Sequence, residues 1–93
     1  KIQISPPQIK ERDDYQYVYI ISDGDFCKIG VAINIETRLK QLQTGNARQL
    51  ELIHSIKSDR PYELEKELHA IFKFKNVKNE WFDILHLFNQ KAI

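Results

Sequence analysis

Two short apolar runs separated by a polar turn stand out in the first third of the chain. Residues 17–21 and 26–29 are apolar apart from Lys28, and they flank the polar residues 22–25. β-Branched and aromatic residues on either side of an Asp-Gly turn are typical of a β-hairpin. Side chains alternate faces along a strand, so we expect two polar residues near the strand ends, Tyr19 and Lys28, to face one shared edge.

After the hairpin, apolar residues recur at helical spacing. Asn34 is a suitable N-cap for a helix that ends at residues 44–46, where Gly45 suits a left-handed C-cap. Arg38 lies on the border of the apolar stripe, from which its side chain can reach over the sheet edge. The stripe itself consists of Ile35, Leu39 and Leu42.

The second half of the chain predicts a strand and two further helices. Residues 50–56 alternate as in a strand, where His54 is expected to be an ordinary strand residue. Residues 58–59 are expected to cap a second helix that carries Pro61 in its first turn. Residues 74–79 are expected to form a basic loop and 82–91 a last short helix. The buried stripe of the second helix is predicted to be Leu64, Leu68, Ile71 and Phe72.

This element order, β-β-α-β-α-α, predicts an α+β fold with a three-stranded antiparallel sheet flanked by helices. Residues 1–14 contain adjacent prolines and many charges and are interpreted as a lead-in or linker, with residues 15–93 as the domain. Because the chain begins at Lys1 and contains no Met, we expect a fragment of a larger protein whose other domains are partners.

Composition narrows the class of protein. With 93 residues, 42% hydrophobic and 29% charged, the chain fits one small globular domain. Its single cysteine, Cys27, excludes an internal disulfide and a Cys-rich zinc site, and we expect it in the core. No apolar run approaches the roughly 20 residues of a membrane span, so we expect no membrane partner. We expect a cytoplasmic protein, in the host-cell cytosol, or in the nucleus if the protein is viral or eukaryotic. The net charge of +1 indicates no large sequence-independent affinity for nucleic acid.

Five segments in order resemble a known family. Residues 17–19 (YVY), eight intervening residues and residues 28–30 (KIG) look like the half-motifs of the GIY-YIG nuclease superfamily. Arg38 with LKQLQTGN at 39–46, EKELH at 65–69 and EWF at 80–82 resemble its phage-type branch. The resemblance implies a DNA-binding endonuclease that uses one divalent cation, Mg²⁺ or Mn²⁺, and leaves a 3′-hydroxyl and a 5′-phosphate.

The resemblance also implies residue roles. Tyr19 matches the general base, and positive charge from Lys28 and Arg38 is expected to lower its pKa from the reference value of about 10. Arg38 would hold the scissile phosphate, Glu65 would bind the metal, and His69 would assist near the metal or the leaving group. Lys28 stands where the second half-motif usually has tyrosine, and Tyr17 replaces the first glycine. The expected DNA contacts are Arg38, Lys40, Arg48, Lys73 and Lys75.

The chemistry of the set is consistent with those roles, although each residue has a structural alternative. Magnesium can be held by one carboxylate plus water and substrate phosphate, and arginine matches phosphate geometry. Equally, Tyr19 could be a half-buried strand residue, Arg38 and Glu65 surface charges or an ion pair, and Glu80 a cap or salt-bridge partner. A binding module with weak or lost cleavage, and a protein-interaction domain, are therefore the alternative functions. DNA target, metal identity and oligomeric state stay open.

Overall fold

The computed structural model describes residues 16–88 as an α+β domain, so the lead-in predicted at 1–14 lies outside the described residues. Short 3-10 helices at Lys73–Lys75 and Leu85–Leu87 accompany the regular elements. In chain order these are β1 (Gln16–Ser22), β2 (Cys27–Ala32), α1 (Ile35–Thr44), β3 (Glu51–Ser58), α2 (Pro61–Ile71), β4 (Asn76–Lys78) and β5 (Trp81–Phe82).

The sheet has five strands in the order β3-β1-β2-β5-β4, and all neighbours are antiparallel. The predicted hairpin is confirmed as β1 and β2, and the turn glycine, Gly24, has a φ of +104°. The prediction of three strands is wrong in number because β4 and β5 extend the sheet beyond β2. Both are too short to show alternation, and β4 together with the preceding 3-10 helix replaces most of the loop expected at 74–79.

Each face of the sheet carries its own hydrophobic cluster. On one face, α1 packs its predicted stripe against Tyr19, Ile21, Ala32 and Leu50. On the other, α2 packs against a cluster formed by Val18, Ile20, Cys27, Ile29, Phe82 and Ile84. Cys27 is therefore a core residue, as expected. Ile71 was wrongly placed in the buried stripe: at the last position of α2 it is largely exposed.

The helix ends differ partly from the sequence prediction. Asn34 caps α1, since its side-chain oxygen accepts a hydrogen bond from the Thr37 N–H at 3.0 Å. Gly45 is not left-handed, because its φ is −96°. Instead, the Gln43 side chain joins the end of α1 to the loop that follows. It accepts from the Leu50 N–H and donates to the Arg48 carbonyl, both at 2.8 Å.

The start of α2 also lies later than expected. Pro61 occupies the first turn, but the cap position is Arg60, which makes no side-chain capping hydrogen bond. Residues 58–59 do not cap the helix because β3 runs on to Ser58, whose hydroxyl accepts from the Arg60 N–H at 2.9 Å.

The helix predicted at 82–91 does not form within the described residues. Phe82 instead pairs with Cys27 in the sheet, and Ile84 is fully buried beside it. Tertiary packing thus overrides the local apolar spacing and leaves only the 3-10 turn at Leu85–Leu87, while residues 89–91 lie outside the described part. Across residues 16–88, the two helices are too short and polar to cross a membrane.

Candidate active site at the edge of β2

The centre of the site is a tyrosine that crosses the hairpin. Tyr19 on β1 lies directly opposite Gly30 on β2, and only 1% of its surface is exposed. A Cβ built on Gly30 would overlap the Tyr19 hydroxyl and would lie 2.6 Å from Cζ of the same ring. The glycine therefore leaves the space through which the tyrosine ring reaches over β2.

Arg38 reaches the same point from α1. Its guanidinium lies close enough to the Tyr19 hydroxyl to lower the pKa of the tyrosine, through its positive charge and through hydrogen bonding. The border position of Arg38 on the helix, just off the buried stripe, explains this contact, because the stripe packs on the same sheet face as Tyr19. The sequence prediction that Arg38 reaches over the sheet is confirmed.

Lys28 is held by an ion pair rather than by Tyr19. Its ammonium lies 2.8 Å from the Glu80 carboxylate and 5.9 Å from the centre of the Trp81 ring. The backbone positions Glu80, since its carbonyl accepts from the Ile29 N–H just before β5 begins. The salt-bridge alternative for Glu80 is confirmed.

Glu65 and His69 approach from α2 on the opposite face. The His69 ring lies edge-on to Phe82, and its Nε2 lies 3.0 Å from the Ile29 carbonyl oxygen. A carbonyl only accepts, so Nε2 carries the proton that it donates to Ile29. Glu65, one helical turn earlier, has a carboxylate oxygen 3.9 Å from the same Nε2. The expected proximity of the two residues is confirmed.

The surroundings of Tyr19 disfavour its ionised form. Burial raises the pKa of Tyr19, and the carboxylates of Glu80 and Glu65 raise it further, which outweighs the lowering by Arg38. The expectation of a lowered pKa is therefore wrong for the chain by itself. Lys28 does not supply the expected charge because it is paired with Glu80.

The pKa of Glu65 is raised as well. Burial raises its pKa, the nearby Glu80 raises it further, and His69 and Lys28 act in the opposite direction. A carboxylate whose ionisation is opposed by burial and by a neighbouring negative charge gains from a nearby cation. Among residues 16–88 there is no cluster of three or more metal-ligating side chains, so such a cation would have to keep water or substrate oxygens as further ligands.

The predicted DNA contacts are spread over the surface. Arg38 lies in the site, and Lys73 lines a groove of about 290 Å³ together with His69. Lys40 is exposed on α1, and Lys75 lies against the exposed ring of Phe74. Arg48 instead pairs with Asp25 at 2.8 Å at the hairpin turn, with Asp23 at 4.0 Å.

Glu80 is the residue that the sequence prediction left out of the site. Its carboxylate acts electrostatically on both Tyr19 and Glu65 and pairs with Lys28. The sequence signal was its position immediately before Trp81 and Phe82, which anchor the chain beside β2. The structure thus brings together Tyr19, Lys28, Arg38, Glu65, His69 and Glu80.

Comparison with known proteins gives one match. The T5orf172 domain family model matches residues 16–91, which is more than four fifths of the chain. A search of curated proteins and a search of solved structures each found no match.

Proposed function

The chain belongs to the T5orf172 domain family, and we propose that it is a DNA-binding, metal-dependent endonuclease domain of the GIY-YIG type. The family match supports the coarser description, a nucleic-acid-binding, nuclease-like module of phage type. The chemistry and the GIY-YIG assignment are our own proposal.

One observation carries the proposal. Four separate elements, β1, β2, α1 and α2, supply Tyr19, Lys28, Arg38 and Glu65, which interact electrostatically with one another or with Glu80. A structural ion-pair network accounts for Lys28 and Glu80 but has no need of a buried tyrosine hydroxyl beside an arginine. A hydroxyl, a fixed cation and a carboxylate are together the groups that phosphodiester hydrolysis uses.

Arg38 binds the scissile phosphate in this proposal. Its guanidinium is always charged and offers several N–H donors to phosphoryl oxygens. Because Arg38 contacts Tyr19, a phosphate bound to it lies next to the tyrosine hydroxyl. Lys73, in the groove that also contains His69, is placed to hold a second phosphate of the same strand.

The reaction exchanges one bond at phosphorus and needs two proton transfers, one from the attacking water and one to the leaving oxygen. Tyr19, as the phenolate formed when its own proton passes to solvent, takes a proton from a water molecule, whose oxygen bonds to phosphorus while the bond to the 3′-oxygen breaks. The 3′-oxygen leaves with a proton from solvent, and the products are a 3′-hydroxyl and a 5′-phosphate. Burial and the two carboxylates raise the pKa of Tyr19, and Arg38 acts in the opposite direction, so the positive charge of Arg38 favours the phenolate that this step needs.

Glu65 is the residue that would hold the divalent cation, Mg²⁺ or Mn²⁺. When bound, the cation would supply positive charge to the phosphoryl oxygens and to the attacking water. Glu80 lies near enough to interact with Glu65 but is held by Lys28, so Lys28 keeps the second carboxylate oriented. His69, fixed by its bond to the Ile29 carbonyl, borders Glu65.

A binding module that cleaves weakly or not at all is the second candidate. The raised pKa of Tyr19 and the engagement of Lys28 by Glu80 favour it, because both leave the tyrosine harder to ionise. It predicts DNA affinity that falls with salt concentration, without cleavage.

Supercoiled plasmid distinguishes the two functions. The chain is incubated with plasmid in Mg²⁺, in Mn²⁺ and in EDTA, and binding is followed in parallel by gel shift. The endonuclease proposal predicts nicked or linear plasmid in at least one metal and none in EDTA. Binding with intact plasmid in both metals supports the second candidate, and absence of binding contradicts both.

A further inference from the structure

A groove of about 260 Å³ opens beside the Arg38 side of the site. It runs between the end of β2, the first turns of α1 and the first turn of α2. Arg38 forms part of its wall, so the groove is continuous with the proposed phosphate position. Sites for drug-sized ligands have volumes of roughly 300–1,000 Å³, so this groove is suited to a smaller group.

The lining is positive and able to form hydrogen bonds. Arg38 is the one charged side chain among the described residues that line the groove. Gln16, Asn34 and Gln41 contribute amides, which can donate and accept hydrogen bonds. Such a lining accepts a neutral polar ring next to an anionic group.

Two large side chains stand exposed in the groove. Tyr62, on the first turn of α2, is 64% exposed, and Ile33, after β2, is 73% exposed. An aromatic ring exposed next to a fixed cation is the arrangement by which proteins stack unpaired nucleobases. Both residues lie outside the cluster of groups around Tyr19, so the reaction itself does not use them.

We propose that Tyr62 stacks on the nucleobase of the nucleotide next to the phosphate held by Arg38. The base enters the groove, with its polar edge toward the amides and its face on the Tyr62 ring. A base in a regular duplex is stacked on its neighbours, so the substrate is single-stranded or unpaired at this nucleotide. The inference rests on the proposed function, because it takes Arg38 as the phosphate ligand.

Oligonucleotides that carry 2-aminopurine test this inference. Stacking quenches 2-aminopurine fluorescence, so the probe base is placed at successive positions of a single strand. Binding is measured at fixed salt in EDTA, which prevents metal-dependent cleavage. The unaltered chain is expected to quench the probe. Tyr62→Ala should lose the quenching and bind roughly 5- to 150-fold more weakly, the range for one lost stack, whereas Tyr62→Phe should keep both.

Phe74→Ala is the matched control. Phe74 is an aromatic side chain that is 78% exposed and lies outside the groove. Its removal should leave the quenching unchanged, and Tyr62→Ala should leave the thermal unfolding midpoint unchanged.

Three results would overturn the inference alone. These are DNA binding that Tyr62→Ala does not weaken, an equal loss of quenching in Phe74→Ala, and a fall in the unfolding midpoint of Tyr62→Ala. The last would show that the chain itself covers the ring. If the unaltered chain binds no DNA, the proposed function fails as well, and the two failures are thereby distinguished.

Discussion

Tyr19 and Gly30 face each other across the β1–β2 hairpin, and the tyrosine hydroxyl occupies the space that a side chain at position 30 would fill. The glycine is thus required by the position of the tyrosine and not by the backbone, since its φ is not left-handed. The two half-motifs noted in the sequence therefore form one structural unit, in which Gly30 leaves the space that the Tyr19 ring occupies.

Gly30→Ala should therefore disturb the site more than the fold. Overpacking of this kind costs about 1–3 kcal/mol of unfolding free energy, and the hydroxyl must move from its place beside Arg38. Urea unfolding gives the stability, and plasmid nicking gives the activity. Gly45→Ala is the control, because no atom lies within 4 Å of a Cβ there, and it should change neither. Equal effects of the two substitutions would contradict the account.

The elements with strong local signals could be predicted from the sequence. The hairpin, the capped helix α1 and the Glu65–His69 pair depend on turn residues, apolar spacing and helical neighbours, all of which lie within a few positions. Strands β4 and β5 could not be predicted, because a strand of two or three residues is stabilised by pairing with β2 and has no periodicity of its own.

The site residues show the same difference between local signals and contacts that depend on the assembled fold. Arg38 was predicted from its place on the helix border, whereas the contact between Lys28 and Glu80 joins residues that are 52 positions apart. Nothing local indicates such a pair. The pKa of Tyr19 was predicted in the wrong direction because burial and the position of Glu80 depend on the assembled fold.

The Lys28–Glu80 pair should contribute measurably to stability. The Lys28 side chain is only 17% exposed, so the pair is less screened than a surface pair. A double-mutant cycle with Lys28→Gln and Glu80→Gln should give a coupling of about 0.5–1 kcal/mol in unfolding free energy. Arg60 and Glu63, which form an exposed pair at 3.6 Å, serve as the control and should give a coupling near zero. The same value for both pairs would argue against a structural role for Lys28.

Asp23 should make the hairpin turn sensitive to acid. Burial alone would raise its pKa, but hydrogen bonds from the Phe26 and Asp25 N–H groups and the charge of Arg48 hold the pKa below its ordinary value of 3.8. A lowered pKa in the folded state contributes stability above pH 3.8, and this contribution is lost as pH falls further. Unfolding free energy measured from pH 6 to 2 should fall less steeply for Asp23→Asn than for the unaltered chain. Asp59→Asn, at an exposed position, should retain the original slope.

The Cys27 thiol should be unreactive while the chain is folded. Burial raises the pKa of its thiol to about 11, and the side chain is fully buried in the core. The thiolate is the reactive form, so a disulfide reagent at pH 8 should label the native chain only at the rate of its unfolding. Labelling should become rapid in guanidinium chloride. Rapid labelling of the native chain would show that β2 opens locally.

The central claim is that Tyr19 and Glu65 perform phosphodiester cleavage together. The most direct measurement is nicking of supercoiled plasmid in the metal that supports cleavage by the unaltered chain, with Tyr19→Phe and Glu65→Gln. Each has a matched control on its own element, Tyr17→Phe on β1 and Glu67→Gln on α2. We predict that Tyr19→Phe loses nicking at least about 100-fold, in the range for removal of an acid–base group, and that Glu65→Gln loses it because the carboxylate that would hold the cation is gone. Both controls should nick normally. Undiminished nicking by either site variant, or an equal loss in its control, would contradict the assignment.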